Sequence, residues 1–174
     1  NILIFFLQES LNWTTKASSG TLVVVGIIAI IVQGGLIGPL VKQFGEMRLT
    51  LIGSGFILVA CALLITAPKE NATINIYSAV SFLAVGAGLI TPTLRALISK
   101  KLDIDKQGSI LSNLQGLQSL GGVLGIAMAG RVYDSFGPKS PFIAGSVILL
   151  FMIYLIAEGK SNNSFNNQKS KVLK

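Results

Sequence analysis

The 174-residue sequence has no histidine, one cysteine, one tryptophan and little charge, with Asp, Glu, Lys and Arg together making up 12%. Soluble domains carry about a quarter. Without histidine there is no imidazole for general acid–base catalysis, metal ligation or a pH switch near neutrality. The single cysteine, Cys61, lies in an apolar run. It has no intrachain disulfide partner and reads as a packing residue, which excludes a secreted disulfide scaffold. No Gly-rich phosphate loop, Cys-x-x-Cys pair or nucleophile–base pair occurs. An enzyme is therefore not expected, and neither a cofactor nor a metal site is assigned.

The few charges are also clumped. Residues 17–41, 49–68, 71–94, 107–130 and 140–157 contain no Asp, Glu, Lys or Arg. What fills these stretches is apolar: 51% of the chain is AVILMFWYC and the mean hydropathy is +0.71. A soluble fold of this size leaves about a third of its chain surface in water and has nowhere to put so much apolar area. The pattern is that of a multi-pass membrane protein whose first partner is the lipid bilayer. The net charge of +7 fits the same reading. The basic residues fall between the apolar runs, as the positive-inside rule requires, so a nucleic-acid partner is not expected.

Five spans are expected, at about 20–41, 49–67, 74–99, 107–130 and 140–157. Each must be a helix, because lipid satisfies no backbone polar group. Pro68 stops the second span, and Ser140 followed by Pro141 reads as an N-cap and a proline at the first helical position. Ten Lys and Arg residues fall on one side of these spans and four on the other. The ten-residue side is expected to be cytoplasmic, which places the C-terminus inside. Residues 158–174, rich in Asn, Ser and Lys, are expected to be disordered. The chain opens on Asn1 and runs directly into apolar residues. Residues 1–12 therefore read as the outer end of a truncated helix, and the chain as a fragment.

Polar residues inside the spans are few. Gln33 in the first span is expected to face a neighbouring helix or a wet cavity. Gly34 and Gly38 nearby have the small-xxx-small spacing of close helix packing. In the third span Tyr77, Ser81, Ala84, Gly88, Thr91 and Arg95 recur at spacings of 4, 3, 4, 3 and 4, which puts them on one stripe. The stripe is small and polar, suited to cavity lining or to packing. Pro92 lies within it and clashes with the carbonyl of Gly88, so Gly88 and Pro92 form a candidate hinge. Arg95 reads either as a snorkelling cation or as an electrostatic group at a cavity mouth. In the fourth span Gln115, Gln118, Ser119, Gly122 and Gly125 share one face opposite Leu114, Leu117, Leu124 and Met128. That face calls for water or for interhelical partners.

Two stretches together resemble a known family. Gly38-Pro39-Leu40-Val41-Lys42-Gln43-Phe44-Gly45-Glu46-Met47-Arg48 is similar to the second copy of the loop motif G-x-L-x-x-x-x-G-x-x-R of the major facilitator superfamily. It departs from the usual motif in having Lys42 where the first-half copy commonly has Asp, and Gln43 where a basic residue is common. That departure weakens the expectation of an Asp-based switch here. The second stretch is Gly86-x-Gly88 and Pro92, then Gln107-Gly108, Gly121-Gly122-x-x-Gly125, Tyr133-Asp134-x-Phe136-Gly137 and Pro141-Phe142. Its order resembles helices ten to twelve of the drug:proton antiporter branch, which includes tetracycline-type efflux pumps.

The resemblance implies an all-α membrane fold, the six-helix C-terminal half of a twelve-helix transporter with its first helix truncated. The N-terminal half of the same polypeptide is then a missing partner, and the complete spans are helices eight to twelve. Those at 20–41, 74–99 and 107–130 face the cavity, and those at 49–67 and 140–157 are peripheral. The implied function is efflux of small amphipathic compounds by alternating access, with any proton-coupling acid outside this chain. The substrate-facing residues are Gln33, Tyr77, Ser81, Thr91, Arg95, Gln115 and Gln118. Gly38, Leu40, Lys42, Gly45 and Arg48 form the cytoplasmic loop motif, whose glycines allow close approach and a tight turn. A non-transporting scaffold or sensor of the same fold is the alternative.

Overall fold

A computed structural model describes the backbone of residues 15–66, 72–100 and 104–172, with side chains over 19–66, 73–100, 107–156 and at 158. Helix α1 (Thr15–Ile31) continues through a π-helical turn, Val32–Leu36, into α2 (Ile37–Phe44). Then follow α3 (Glu46–Thr66), α4 (Ala72–Ser99), α5 (Ile104–Phe136) and α6 (Ser140–Val172). The described residues contain no strand. Residues 1–12, the expected truncated helix, lie outside the described residues.

Three segments are long and apolar enough to cross a bilayer: Ser19–Phe44, Glu46–Thr66 and Thr73–Ser99. Ser140–Ile156 is a shorter apolar helix. The expected span at 107–130 lies inside α5, and its Gln, Ser, Asn and Gly residues keep it below the apolarity of the other three. Helix α6 is assigned to Val172.

The bundle is organised around α4. Its most extensive pairing is with α3, followed by α1, while α6 packs on α3. At the α3–α4 crossing two glycines stand face to face. A Cβ added to Gly86 would lie 2.6 Å from the Gly53 carbonyl oxygen, and one added to Gly53 would lie 3.0 Å from that of Gly86. Lipid tails are as apolar as leucine, so helix association in a membrane rests on such close packing rather than on removal of apolar surface from water.

Two apolar clusters flank the crossing. Leu64, Ile76, Ala79 and Val80 form one, with Val25, Leu63 and Phe142 against it. Val32, Leu49 and Leu89 form the other, joined by Ile28, Ile37, Leu40 and Val41 among others. Cys61 is buried and unbridged. The span at 49–67, which the family resemblance makes peripheral, is thus the one most closely married to α4.

Between the clusters lies a buried polar contact. Thr50 Oγ1 and Thr93 Oγ1 are 2.9 Å apart, with the residues 0% and 1% exposed. Each hydroxyl also has a carbonyl of its own helix in reach, Glu46 O for Thr50 and Leu89 O for Thr93. At the same end of the pair, Lys100 Nζ forms an ion pair with Glu46 Oε1, and Gln107 Nε2 donates to Ser99 O at 3.1 Å.

Both tight turns use glycine at positive φ. Gly45, between α2 and α3, has φ 77° and ψ 157°, a region that only glycine occupies freely. Gly137, between α5 and α6, has φ 89°. Ser140 does not cap as its sequence context predicts. It lies within α6, and its hydroxyl is 2.8 Å from Val132 O and 2.6 Å from Gly137 O. It thereby ties the start of α6 to the last turn of α5 and to the glycine between them.

Candidate functional site

The stripe on α4 divides in two along its length. Its N-terminal and middle part packs on α1. A Cβ added to Gly20 would lie 3.3 Å from Tyr77 OH, and one added to Gly88 would lie 3.1 Å from Val32 Cγ1 and 3.9 Å from Gln33 Cγ. Ala84 is buried. The small residues here therefore admit a neighbouring helix. Gly88 is held against the π turn. Helix α4 is one continuous element through Pro92, although the proline deprives the Gly88 carbonyl of its donor. Nearby, the Thr93 hydroxyl lies 2.7 Å from Leu89 O and 3.0 Å from Ile90 O, neither of which is the carbonyl the proline frees. Thr91 is half-buried.

Beside this contact an open groove of about 470 Å³ lies between α3 and α4. Tyr77 and Ser81 line it together with Phe56, Ser78, Phe82 and Val85. The rings of Phe56 and Phe82 stack with centroids 5.7 Å apart and planes 21° from parallel. Ser81 donates to Tyr77 O at 2.7 Å, which leaves its oxygen lone pairs for the groove. The sequence reading found Tyr77 and Ser81 but missed the other four. Ser78 and Phe82 sit one residue on from members of the stripe, about 100° round the helix. That offset was the available signal on α4. Phe56 belongs to a span whose composition gave none.

The C-terminal part of the stripe reaches α5. Arg95 Nη2 donates to Gln115 Oε1 and, at 3.4 Å, to Gln118 Oε1. Three residues chosen separately from two spans thus meet. All three are exposed, as is every residue of α5 from Gln115 to Met128. The distance between the two regions decides how they act. Val85, at the near end of the groove, and Arg95 are 10 residues apart, roughly 15 Å along a helix. The groove and the Arg95 cluster are therefore separate along α4.

Gln33 stands in the π turn, exposed and beside Gly88. The structure does not join it to Gln115 or Gln118 by a hydrogen bond. A π turn inside an α-helix frequently marks a functional position, and the Gly34-Gly35 pair was its sequence signal. In the loop motif Leu40 packs on the inner apolar cluster and Gly45 makes the turn. Lys42 and Arg48 are exposed and have no ion-pair partner among the described residues. Gly34, Gly38, Gly121 and Gly125 have open space where a Cβ would go. Their spacing does not correspond to a close helix contact within this chain. Among the described residues no group of His, Cys, Asp or Glu could hold a metal ion.

Comparison with known proteins gives a consistent family. The model of the Major Facilitator Superfamily matches residues 1–126. The chain is 26% identical over 130 residues to the class C tetracycline resistance protein of Escherichia coli, covering 75% of this chain and 32% of that protein. It is 28% identical over 161 residues to the class G protein of Vibrio anguillarum, covering 88% and 39% respectively. It is also 24% identical over 131 residues to hippocampus abundant transcript 1 protein of Mus musculus, covering 75% and 26%. The chain spans about a third of the length of the curated relatives it matches. No solved structure gives a significant match.

Proposed function

Because the chain belongs to the Major Facilitator Superfamily, a family of integral multi-pass membrane transporters, we propose that it is the C-terminal six-helix half of a secondary transporter that expels small amphipathic compounds. In this reading residues 1–12 are the end of helix seven, and the stretches at about 20–41, 49–67, 74–99, 107–130 and 140–157 are helices eight to twelve. The C-terminus is cytoplasmic, because ten of the Lys and Arg residues fall on that side against four on the other. The N-terminal half of the same polypeptide completes the pathway, and the two halves rock about it in alternating access. Relatives named for tetracycline resistance support outward movement of a drug-like compound. Proton coupling falls to acids in the missing half, since no carboxylate lies within residues 71–94 or 107–130.

The observation that carries this reading is the contact of Arg95 with Gln115 and Gln118. A cation and two amides on two neighbouring helices are costly in lipid and are suited to a wet pathway. The groove at Tyr77 and Ser81, part aromatic and part hydroxyl, suits the amphipathic character of such a compound and would be met at a different stage of passage. Gln33 and Thr91 border the pathway, and Pro92 gives α4 its flexible point with Gly88 as the packed fulcrum. Lys42 and Arg48 hold the inner surface in one state of the cycle.

The test is flux in proteoliposomes containing the full-length protein, with and without a pH gradient. Gln115→Leu with Gln118→Leu should lower transport at unchanged membrane abundance. Unchanged transport would remove these residues from the pathway. Absence of any flux in the unaltered protein would favour a non-transporting scaffold of the same fold.

A further inference from the structure

The Arg95 cluster is made of donors. Both amide contacts run through Nη2, so the Nε and Nη1 hydrogens of the guanidinium have no partner among the described residues. Gln115 and Gln118 turn their oxygens to the arginine, which leaves their amide N–H groups without a partner among the described residues and ready to donate. Ser119, on the same face of α5, places its hydroxyl 3.0 Å from Gln115 O. Among the described side chains no acid neutralises the charge. The acids with described side chains are Glu46, Asp134 and Glu158. Glu46 is held by Lys100, and neither of the others pairs with Arg95. A full positive charge, oriented by two neutral amides and surrounded by further N–H donors, matches a group that only accepts hydrogen bonds and carries negative charge. Charge-assisted bonds of that kind are roughly twice as strong as neutral ones.

We infer that Arg95, Gln115 and Gln118 recognise an anionic oxygen on their ligand. The group is a carboxylate or an enolate when the ligand is a transported solute, and a phosphate when it is a lipid headgroup. The solute case rests on the transport reading above; the recognition chemistry itself does not. The anion accepts from a free Nε–H or Nη1–H of the guanidinium and from the amide N–H groups of the two glutamines. A neutral amide or ester of the same shape offers weaker acceptors and brings no charge.

The test is binding of a matched pair, 2-naphthoate and 2-naphthamide, to the full-length protein in nanodiscs. In phosphatidylcholine discs the carboxylate should bind about tenfold or more tightly than the amide, the factor expected of a charged hydrogen bond. Arg95→Gln should abolish that preference, and a melting temperature equal to that of the unaltered protein shows that the variant is folded. Arg95→Lys should keep part of the preference. In discs containing phosphatidylglycerol, weakened naphthoate binding in the unaltered protein but not in Arg95→Gln assigns the cluster to the phosphate of a net-anionic lipid headgroup. An unchanged affinity assigns it to the solute. Equal affinity for the two probes, binding of neither, or a preference retained in Arg95→Gln overturns the inference. Flux without charge preference defeats this inference alone, whereas charge preference without flux defeats only the transport reading.

Discussion

Gly53 and Gly86 each take up the space that a side chain on the other's helix would need. A Cβ on Gly86 would meet the Gly53 carbonyl oxygen and Ile57 Cγ1, both at 2.6 Å. Backbone does not yield as a side chain does, so Gly86→Ala must push α3 and α4 apart. It should cost about 1–3 kcal/mol, the usual range for overpacking, read as a lower melting temperature in detergent. Gly55→Ala, one residue beyond Ser54 on α3 with open space around it, should be neutral or stabilising by up to about 1 kcal/mol.

The Thr50–Thr93 pair should behave differently, because neither hydroxyl is orphaned when the other is lost. Each has a carbonyl of its own helix to bond. Thr50→Val and Thr93→Val should therefore each be mild. A double-mutant cycle by chemical denaturation should give a coupling of about 0.6 kcal/mol and no more than about 1.7, the range found between membrane helices. A larger coupling would mean that the pair is more than an interhelical hydrogen bond.

The loop motif contains two glycines with opposite expectations. Gly45 has φ 77°, so Gly45→Ala should destabilise by about 1–3 kcal/mol. Gly38 is helical and open, so Gly38→Ala should be neutral or raise stability by up to about 1 kcal/mol. If Gly38→Ala lowers flux in the full-length protein while stability holds, the space beside it is filled by the rest of the transporter.

Pro92 tests the hinge. Pro92→Ala restores a donor to the Gly88 carbonyl and should stabilise α4 by about 1–3 kcal/mol, seen as slower amide exchange over residues 88–96. Flux should fall if the bend is used in transport. Unchanged flux with a stiffer helix would make the proline a packing feature.

Much of this architecture was legible in residue order. The uncharged stretches all fall within helices over the described residues, and the 100° periodicity of Tyr77 to Arg95 singled out a face of α4 that meets α1 at Gly88 and α5 at Arg95. Arg95, Gln115 and Gln118 stood out singly, because polar side chains are rare in such runs. What residue order lacked was the partner of each face. Gly86 and Gly88 look alike in sequence, yet one meets Gly53 and the other Val32. Thr50 and Thr93 are 43 residues apart, and no spacing rule links them. Gly34 with Gly38, and Gly121 with Gly125, carry the packing motif but meet nothing within the chain. A local pattern states what could approach, and the tertiary arrangement decides what does.

The π turn at Val32–Leu36 adds a point about counting. The Ile37 amide bonds to Val32 O, five residues back rather than the four of an α-helix. The segment thus holds one residue more than a regular helix needs, and everything after it is turned by about 100° relative to an uninterrupted count. Thr21 and Val25 on the outer side, and Ile37, Leu40 and Val41 on the inner side, are in phase with α4 only because of that slip. Deleting either Gly34 or Gly35 would leave composition and apparent span length almost untouched, yet rotate the inner third of the span away from Leu49 and Leu89. The glycine pair works as a phase correction written into the chain.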